Sequence, residues 1–400
     1  MQKMPAMGTK WLGTSMAVAA SAALVACGGG GGADAPQGTL RLALTDAPAC
    51  YEKVLVTVEK VRVHGGDAAE SDSGWTDIVP PNGPLQVDLL NLTNGALADL
   101  GSAQVDAGSY KQLRLVLAEN TASAPLANAV QPVGGTLQPL KTPSAQQSGL
   151  KIKGDFTVAA DTTTDMVLDF DACKSVVVAG ASGQYILKPV VTLTPKFATA
   201  IEGYVATTLP LNATSVSAQK DGVVVRSTVP DAQGKFVLSY LPSGSYNVVI
   251  SADARATAVI SNVPIEATAT PSVVLNGTAT AFDPPASAMH SVSGSVTAAA
   301  KGNASSPTLV TDATVTATQK VGAATVQVAS TPVDFDLATY TFKLPAAAPQ
   351  LATYASSGLS FSAQAAAAGK YTLQASAPGR ATLQKSVDVG AGAATADFTY

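Results

Sequence analysis

Residues Val54-Leu55-Val56-Thr57-Val58-Glu59-Lys60-Val61-Arg62-Val63-His64 decide the fold class. Valine returns at almost every second position, the period of a strand with one buried face, and β-branched side chains are stiff and fit a pleated surface. Just upstream, Thr39-Leu40-Arg41-Leu42-Ala43-Leu44-Thr45 alternates in the same way and is stopped by Asp46-Ala47-Pro48. Further strand-like runs follow at 86–90, 112–118, 151–158, 165–171 and 185–193, with Gly, Pro, Asn or Ser between them. Many short strands with turn signals and no long helical period predict an all-β chain built of β-sandwiches.

Near Pro195 the composition shifts toward Ala, Thr, Val and Ser, and two weak repeats begin. Ile201-Glu202-Gly203-Tyr204-Val205 corresponds to Val292-Ser293-Gly294-Ser295-Val296, and Val216-Ser217-Ala218 to Val315-Thr316-Ala317. Gly244-Ser245-Tyr246 and Arg255-Ala256-Thr257 then match Gly369-Lys370-Tyr371 and Arg380-Ala381-Thr382 at the same spacing, which chance rarely keeps. The Ala-rich stretch 365–368 favours helix by propensity alone, but its Thr, Gly and Pro neighbours and the repeat register favour strands and loops. The expectation is three tandem sandwiches, at 38–196, 197–285 and 286–400.

At the amino end, Lys3 and Lys10 precede an uncharged run, 11–25, that closes in Leu24-Val25-Ala26-Cys27. This reads as a lipoprotein signal peptide, 1–26, cleaved before Cys27, whose thiol takes a diacylglyceryl group; a plain secretory signal or a short anchor is the alternative. Residues 27–37 follow as a lipidated, Gly-rich tether with a reach of about 15–20 Å. By resemblance to Gram-negative lipoproteins, Gly28 after the cysteine implies the outer membrane, with the protein facing either the periplasm or the surface.

The formal charge is −4, with 24 basic and 28 acidic residues, and loss of Lys3 and Lys10 with the signal would leave the chain still more acidic. A chain this poor in charge and without a basic stripe has no electrostatic footprint for nucleic acid. With Cys27 assigned to lipid, Cys50 and Cys173 remain, and in an oxidising envelope they are expected to form a disulfide within the first sandwich. The chain-entropy model gives such a loop about 5 kcal/mol. A metal pair or redox couple is the alternative, without a C-x-x-C or a nearby histidine to support it.

Several motifs in order carry a resemblance to known families. Leu44-Thr45-Asp46-Ala47-Pro48, the run 54–64, Leu140-Lys141-Thr142-Pro143-Ser144, Asp169-Phe170-Asp171-Ala172 and Leu187-Lys188-Pro189-Val190 resemble a domain-of-unknown-function family, number 4382, of bacterial lipoproteins. The resemblance covers about 38–196 and implies a sandwich-like envelope domain with no established activity. In the first repeat, Asp231-Ala232-Gln233-Gly234-Lys235-Phe236-Val237-Leu238 and Leu241-Pro242-Ser243-Gly244-Ser245-Tyr246 resemble the carboxypeptidase regulatory-like, transthyretin-related fold. That resemblance implies a seven-stranded spacer or binding module without catalysis. The second repeat departs from it, because a long insertion separates Tyr340-Thr341-Phe342-Lys343-Leu344-Pro345 from Gly369-Lys370-Tyr371.

Candidate chemistry is sparse. His64 and His290 are the only histidines, and neither has a carboxylate or thiol cluster at ligand spacing. No nucleophile elbow, P-loop or dinucleotide fingerprint is present, so no catalytic residue, metal site or cofactor is expected. Asp67, Glu70, Asp72 and Asp77 crowd one loop and are either solvated acids or calcium ligands, without the EF-hand spacing. Asp46 is a turn organiser or a ligand contact. Trp75 and Tyr110 are candidates for stacking on sugar or are core and rim residues. Asp169 and Asp171 are read as the wet face of a strand, with a glycosidase-like acid pair as the alternative. The chain is therefore expected to be a non-enzymatic, membrane-anchored binding or structural module whose partner is an envelope protein or a polysaccharide. The rival reading is a carbohydrate-binding or carbohydrate-active surface protein that uses these carboxylates and aromatics.

Overall fold

The computed structural model describes residues 35–46, 50–66, 73–143, 149–266, 272–300 and 307–400. Cys27 and the acids Asp67, Glu70 and Asp72 lie outside them, as do Ala47 and Pro48.

The first thirteen strands are β1 (Gln37–Asp46), β2 (Lys53–His64), β3 (Thr76–Ile78), β4 (Leu85–Asp88), β5 (Ala98–Asp106), β6 (Gly108–Leu117), β7 (Ala129–Gln131), β8 (Gln138–Lys141), β9 (Leu150–Val158), β10 (Thr163–Phe170), β11 (Val176–Ala179), β12 (Gln184–Leu187) and β13 (Val191–Pro195). One short helix, α1 (Ala172–Ser175), follows β10. The strands form two sheets, ordered β13-β10-β1-β5 and β11-β12-β8-β7-β2-β6-β9, with β3 and β4 paired to β2. Leu40, Leu42 and Leu44 of β1 face Val54, Val56, Val58, Val61 and Val63 of β2 and Leu113, Leu115 and Leu117 of β6 across one core. Valine skips a beat between Val58 and Val61 because the β2–β6 register shifts between Val58 and Lys60. The extra residue of this bulge puts both valines inward.

The second sandwich comprises β14 (Ala200–Tyr204), β15 (Thr214–Lys220), β16 (Val223–Thr228), β17 (Lys235–Ser239), β18 (Gly244–Ala252), β19 (Ala258–Ile265) and β20 (Ser272–Val274). The last part of the chain adds β21 (Met289–Ala298), β22 (Thr308–Leu309), β23 (Thr314–Val321), β24 (Ala324–Pro332), β25 (Thr339–Pro345), β26 (Gln350–Thr353), β27 (Ser362–Ala363), β28 (Lys370–Ser376), β29 (Leu383–Asp388), β30 (Ala394–Thr395) and β31 (Phe398–Thr399). Sheet orders β17-β14-β20 and β16-β15-β18-β19 recur as β25-β21-β30 and β24-β23-β28-β29. A bulge falls between Ala218 and Gln219 in one repeat and between Ala317 and Thr318 in the other. Shared topology and a shared bulge make the divergent repeat a second copy of the same sandwich, each copy with its own buried core.

The repeated tyrosine has one task in both copies. Tyr246 donates to the Pro242 carbonyl at 2.7 Å, four residues away, and Tyr371 to the Pro345 carbonyl at 2.6 Å, 26 residues away. The insertion is thus threaded into this proline-to-tyrosine corner without disturbing it. It runs back to the second sandwich, where β26 pairs parallel to β19 and Tyr354, Leu359 and Phe361 pack on that sandwich's core. Its alanines at Ala365–Ala367 make only a single 3-10 turn.

Residues 36–400 form one compact unit. The sandwiches follow one another along the chain but are packed together rather than strung out, as their contacts below show.

Candidate functional site

The predicted site residues fall into two separate places. Trp75 and Asp77 lie against β2 and β3 on the outer face of the first sandwich. Antiparallel pairing sets Arg62 opposite both Asp77 and Arg114. Asp77 accepts from Lys60 Nζ at 2.7 Å and Arg62 Nε at 2.8 Å. Partial burial pushes its carboxyl up, but the hydrogen bonds and charges of Lys60 and Arg62 outweigh this and hold it below the usual carboxylate value. The Arg114 guanidinium sits 4.4 Å from the centre of the Trp75 ring, the Arg62 guanidinium 5.5 Å, and the His64 ring 5.1 Å. Trp75 is therefore half-buried among cations and packs as a rim residue. Tyr110, the other stacking candidate, is a core residue: it stacks on Phe156 at 5.4 Å and donates to the Asp106 carbonyl. His64 ends β2 as expected, its Nδ1 accepting from the Gly66 amide.

Asp46 is elsewhere. It is buried at the end of β1, and its Oδ1 accepts from the Ala172 amide at 3.1 Å, across 126 residues. Through Oδ1 it fastens the start of α1; the turn that follows it in sequence lies outside the described residues. Cys50 and Cys173 are joined as a disulfide with Cα atoms 5.3 Å apart, so the same segment is fastened twice. Among the described residues no group of three or more His, Cys, Asp or Glu side chains is placed to hold a metal ion.

The expectation for Asp169 and Asp171 is corrected. Asp171 caps α1, accepting from the Lys174 amide at 3.0 Å and from Lys174 Nζ at 2.7 Å. The Asp169 side chain is 12% exposed and ion-paired to Arg226 of β16, itself 5% exposed. Arg226 also donates to Thr194. Burial pushes the Asp169 carboxyl up, against the pull of Arg226. The alternation that suggested a wet face was read correctly; what covers that face is the second sandwich.

This pair opens onto contacts that the sequence did not signal. Asn94, at φ +54° in the turn before β5, accepts through Oδ1 from the Val237 amide at 2.9 Å and donates its own amide to Thr228. Tyr240 donates to the Gly95 carbonyl at 2.8 Å. A Cβ on Gly95 would come within 2.4 Å of Ser239 Oγ, so the Ser239 side chain fills the space that a side chain at 95 would need. The third sandwich grips the β11–β12 turn: Asp334 accepts from the Gly180 amide at 2.8 Å and Asp336 from the Ala181 amide at 3.1 Å. Lys188 donates to the Thr311 carbonyl at 2.9 Å with its ammonium 4.3 Å from the Phe335 ring. Between the second and third, Gln219 bonds both backbone groups of Gln327, at 2.7 and 2.8 Å, beside an apolar patch of Val249, Val259, Val321 and Val326. Where the three meet, a cavity of about 240 Å³ is lined by Cys50, Cys173, Gln219 and Gln327 among others.

The fold and these contacts define a multi-sandwich, all-β module organised around a three-way junction. Residues 37–189 match the family model described as Domain of unknown function (DUF4382), and residues 200–276 match that of the Carboxypeptidase regulatory-like domain, in the order the motifs predicted. No curated protein matches the chain. Among solved structures, the chain is similar to a type II cohesin-X-dockerin complex from Acetivibrio cellulolyticus at 25% identity, covering 22% of this chain and 58% of that one, with a TM-score of 0.19. The Bacillus anthracis TIE protein is 14% identical over 91% of this chain and 51% of its own, TM-score 0.19. The major pilin SpaD from Corynebacterium diphtheriae is 9% identical over 91% and 96%, TM-score 0.16. Scores this low carry no argument. The regulatory-like match and the all-β cores fit a non-enzymatic structural module.

Proposed function

We propose that this chain is a lipid-anchored protein of the bacterial envelope that holds three sandwiches as one stiff, non-enzymatic head on a short tether. The observation that carries the stiffness is the buried Arg226–Asp169 pair, bridging two sandwiches with side chains 5% and 12% exposed. Such a pair is tolerable only if the surfaces around it stay closed, because either charge left alone in that setting is strongly destabilising. The anchor is supported by Leu24-Val25-Ala26-Cys27 and by the Gly-rich run 28–32 ahead of β1. A stiff head suits presentation of surfaces to an envelope protein or polysaccharide at a fixed height from the membrane.

The test is metabolic labelling with a clickable fatty acid, followed by mass analysis of the amino-terminal peptide. Label on Cys27, lost in Cys27→Ser together with membrane fractionation, is the expected result. An unlabelled chain that begins at another residue refutes the anchor.

A further inference from the structure

The Cys50–Cys173 disulfide belongs to the first sandwich by sequence but sits at the junction of all three, and Cys50 is exposed. Both cysteines line the junction cavity, whose other walls include Ser217 and Gln219 of the second sandwich and Gln327 and Ser330 of the third. Cys173 lies within α1, and α1 packs against β24 of the third sandwich. The helix has four residues; besides the disulfide it is held by the Asp171 cap, the Asp46 contact to Ala172, and Ser175, which accepts from the Lys188 amide at 2.7 Å and the Val190 amide at 2.8 Å. An exposed disulfide is open to attack by an external thiolate, and a one-turn helix cannot persist on propensity alone. The large buried side chains of the first core come mostly from β1, β2, β6 and β10, and α1 contributes only the small Ala172 to it.

We propose that Cys50–Cys173 is a thiol-exchange site whose redox state sets how firmly α1, and with it the first sandwich, is docked on the third. The reacting partner is a dithiol, either a small molecule or the dithiol of a redox protein. Its thiolate attacks Cys50 Sγ to form a mixed disulfide, and Cys173 leaves as a thiolate that takes up a proton. The partner's second thiol then displaces Cys50, which is also protonated. The partner ends as a disulfide and the protein as two thiols, a two-electron reduction. Reduced, α1 keeps its cap but loses its covalent tie and opens locally while the cores stay folded.

Lys174 reports this directly, because trypsin cuts after it only when α1 opens. The full chain is treated with dithiothreitol without denaturant, free thiols are counted by alkylation, and tryptic cleavage after Lys174 is timed with and without reductant. Expected are alkylation of both Cys50 and Cys173, at least about tenfold faster cleavage after Lys174, and unchanged far-ultraviolet circular dichroism. The Cys50→Ala/Cys173→Ala variant should cleave at the reduced rate and ignore reductant. The proposal is overturned if native chain resists alkylation under reductant, if cleavage is unchanged by reduction or in the double variant, or if reduction unfolds the sandwiches.

Discussion

The second sandwich is held on two sides by different physics. Toward the first sandwich the contact is polar and narrow, made of Asn94, Thr228 and the Arg226–Asp169 pair. Toward the third it is broad and largely apolar: Val249, Val259, Val321 and Val326 pack together, and β26 extends the sheet beyond β19. The apolar side follows from adding residues of the second repeat onto the first, so its stability scales with buried area and tolerates small errors of shape. The polar side depends on a few hydrogen bonds that must all be made, so it fixes one orientation and fails abruptly when one partner is removed.

Five variants break or sharpen this contrast, and thermal or denaturant unfolding reads each of them. Arg226→Ala should have the largest effect, about 3–5 kcal/mol, because it leaves Asp169 buried without its cation. Arg226→Ala combined with Asp169→Ala should recover part of that loss; no recovery would mean that the pair is not coupled. Val259→Ala on the apolar side should cost roughly 2 kcal/mol from lost methyl burial plus a small cavity, and should leave the first sandwich's contacts intact. Asn94→Ala should cost about 1–3 kcal/mol by stranding the Val237 amide, with the change confined to the polar side. Asp77→Asn, remote from both interfaces, should cost about 1 kcal/mol or less. Its carboxyl is held below the ordinary 3.8. The stabilisation therefore exists in full above that value and is lost as pH falls through the folded-state value. Wild type and Asp77→Asn should differ in stability at neutral pH and converge as the pH falls well below 3.8.

Much of the architecture was legible in the sequence because it is written locally. The valine period of 54–64 gave a strand, and the tyrosine register of 246 and 371 gave two related repeats; the bulge after Val58 was read only from the structure. The cysteine pair was legible by elimination. The insertion was visible as a departure from the repeat, but its destination was not, since parallel pairing to β19 depends on a strand some 90 residues away. The junction was illegible for the same reason. Asn94 resembles any turn asparagine and Asp169 any outward-facing strand acid, and their partners lie 134 and 57 residues away. Trp75 looked like an open stacking surface because the arginines that embrace it come from two other strands.

The most direct test of the three-way junction is amide hydrogen exchange at Val237, Gly180 and Gln327, each of which donates to a side chain of a different sandwich. If the sandwiches form one body, these amides exchange as slowly as their strand neighbours, and Asn94→Ala releases Val237 alone. Exchange at the rate of open loops, with the cores still protected, would mean that the sandwiches are independent beads on a chain.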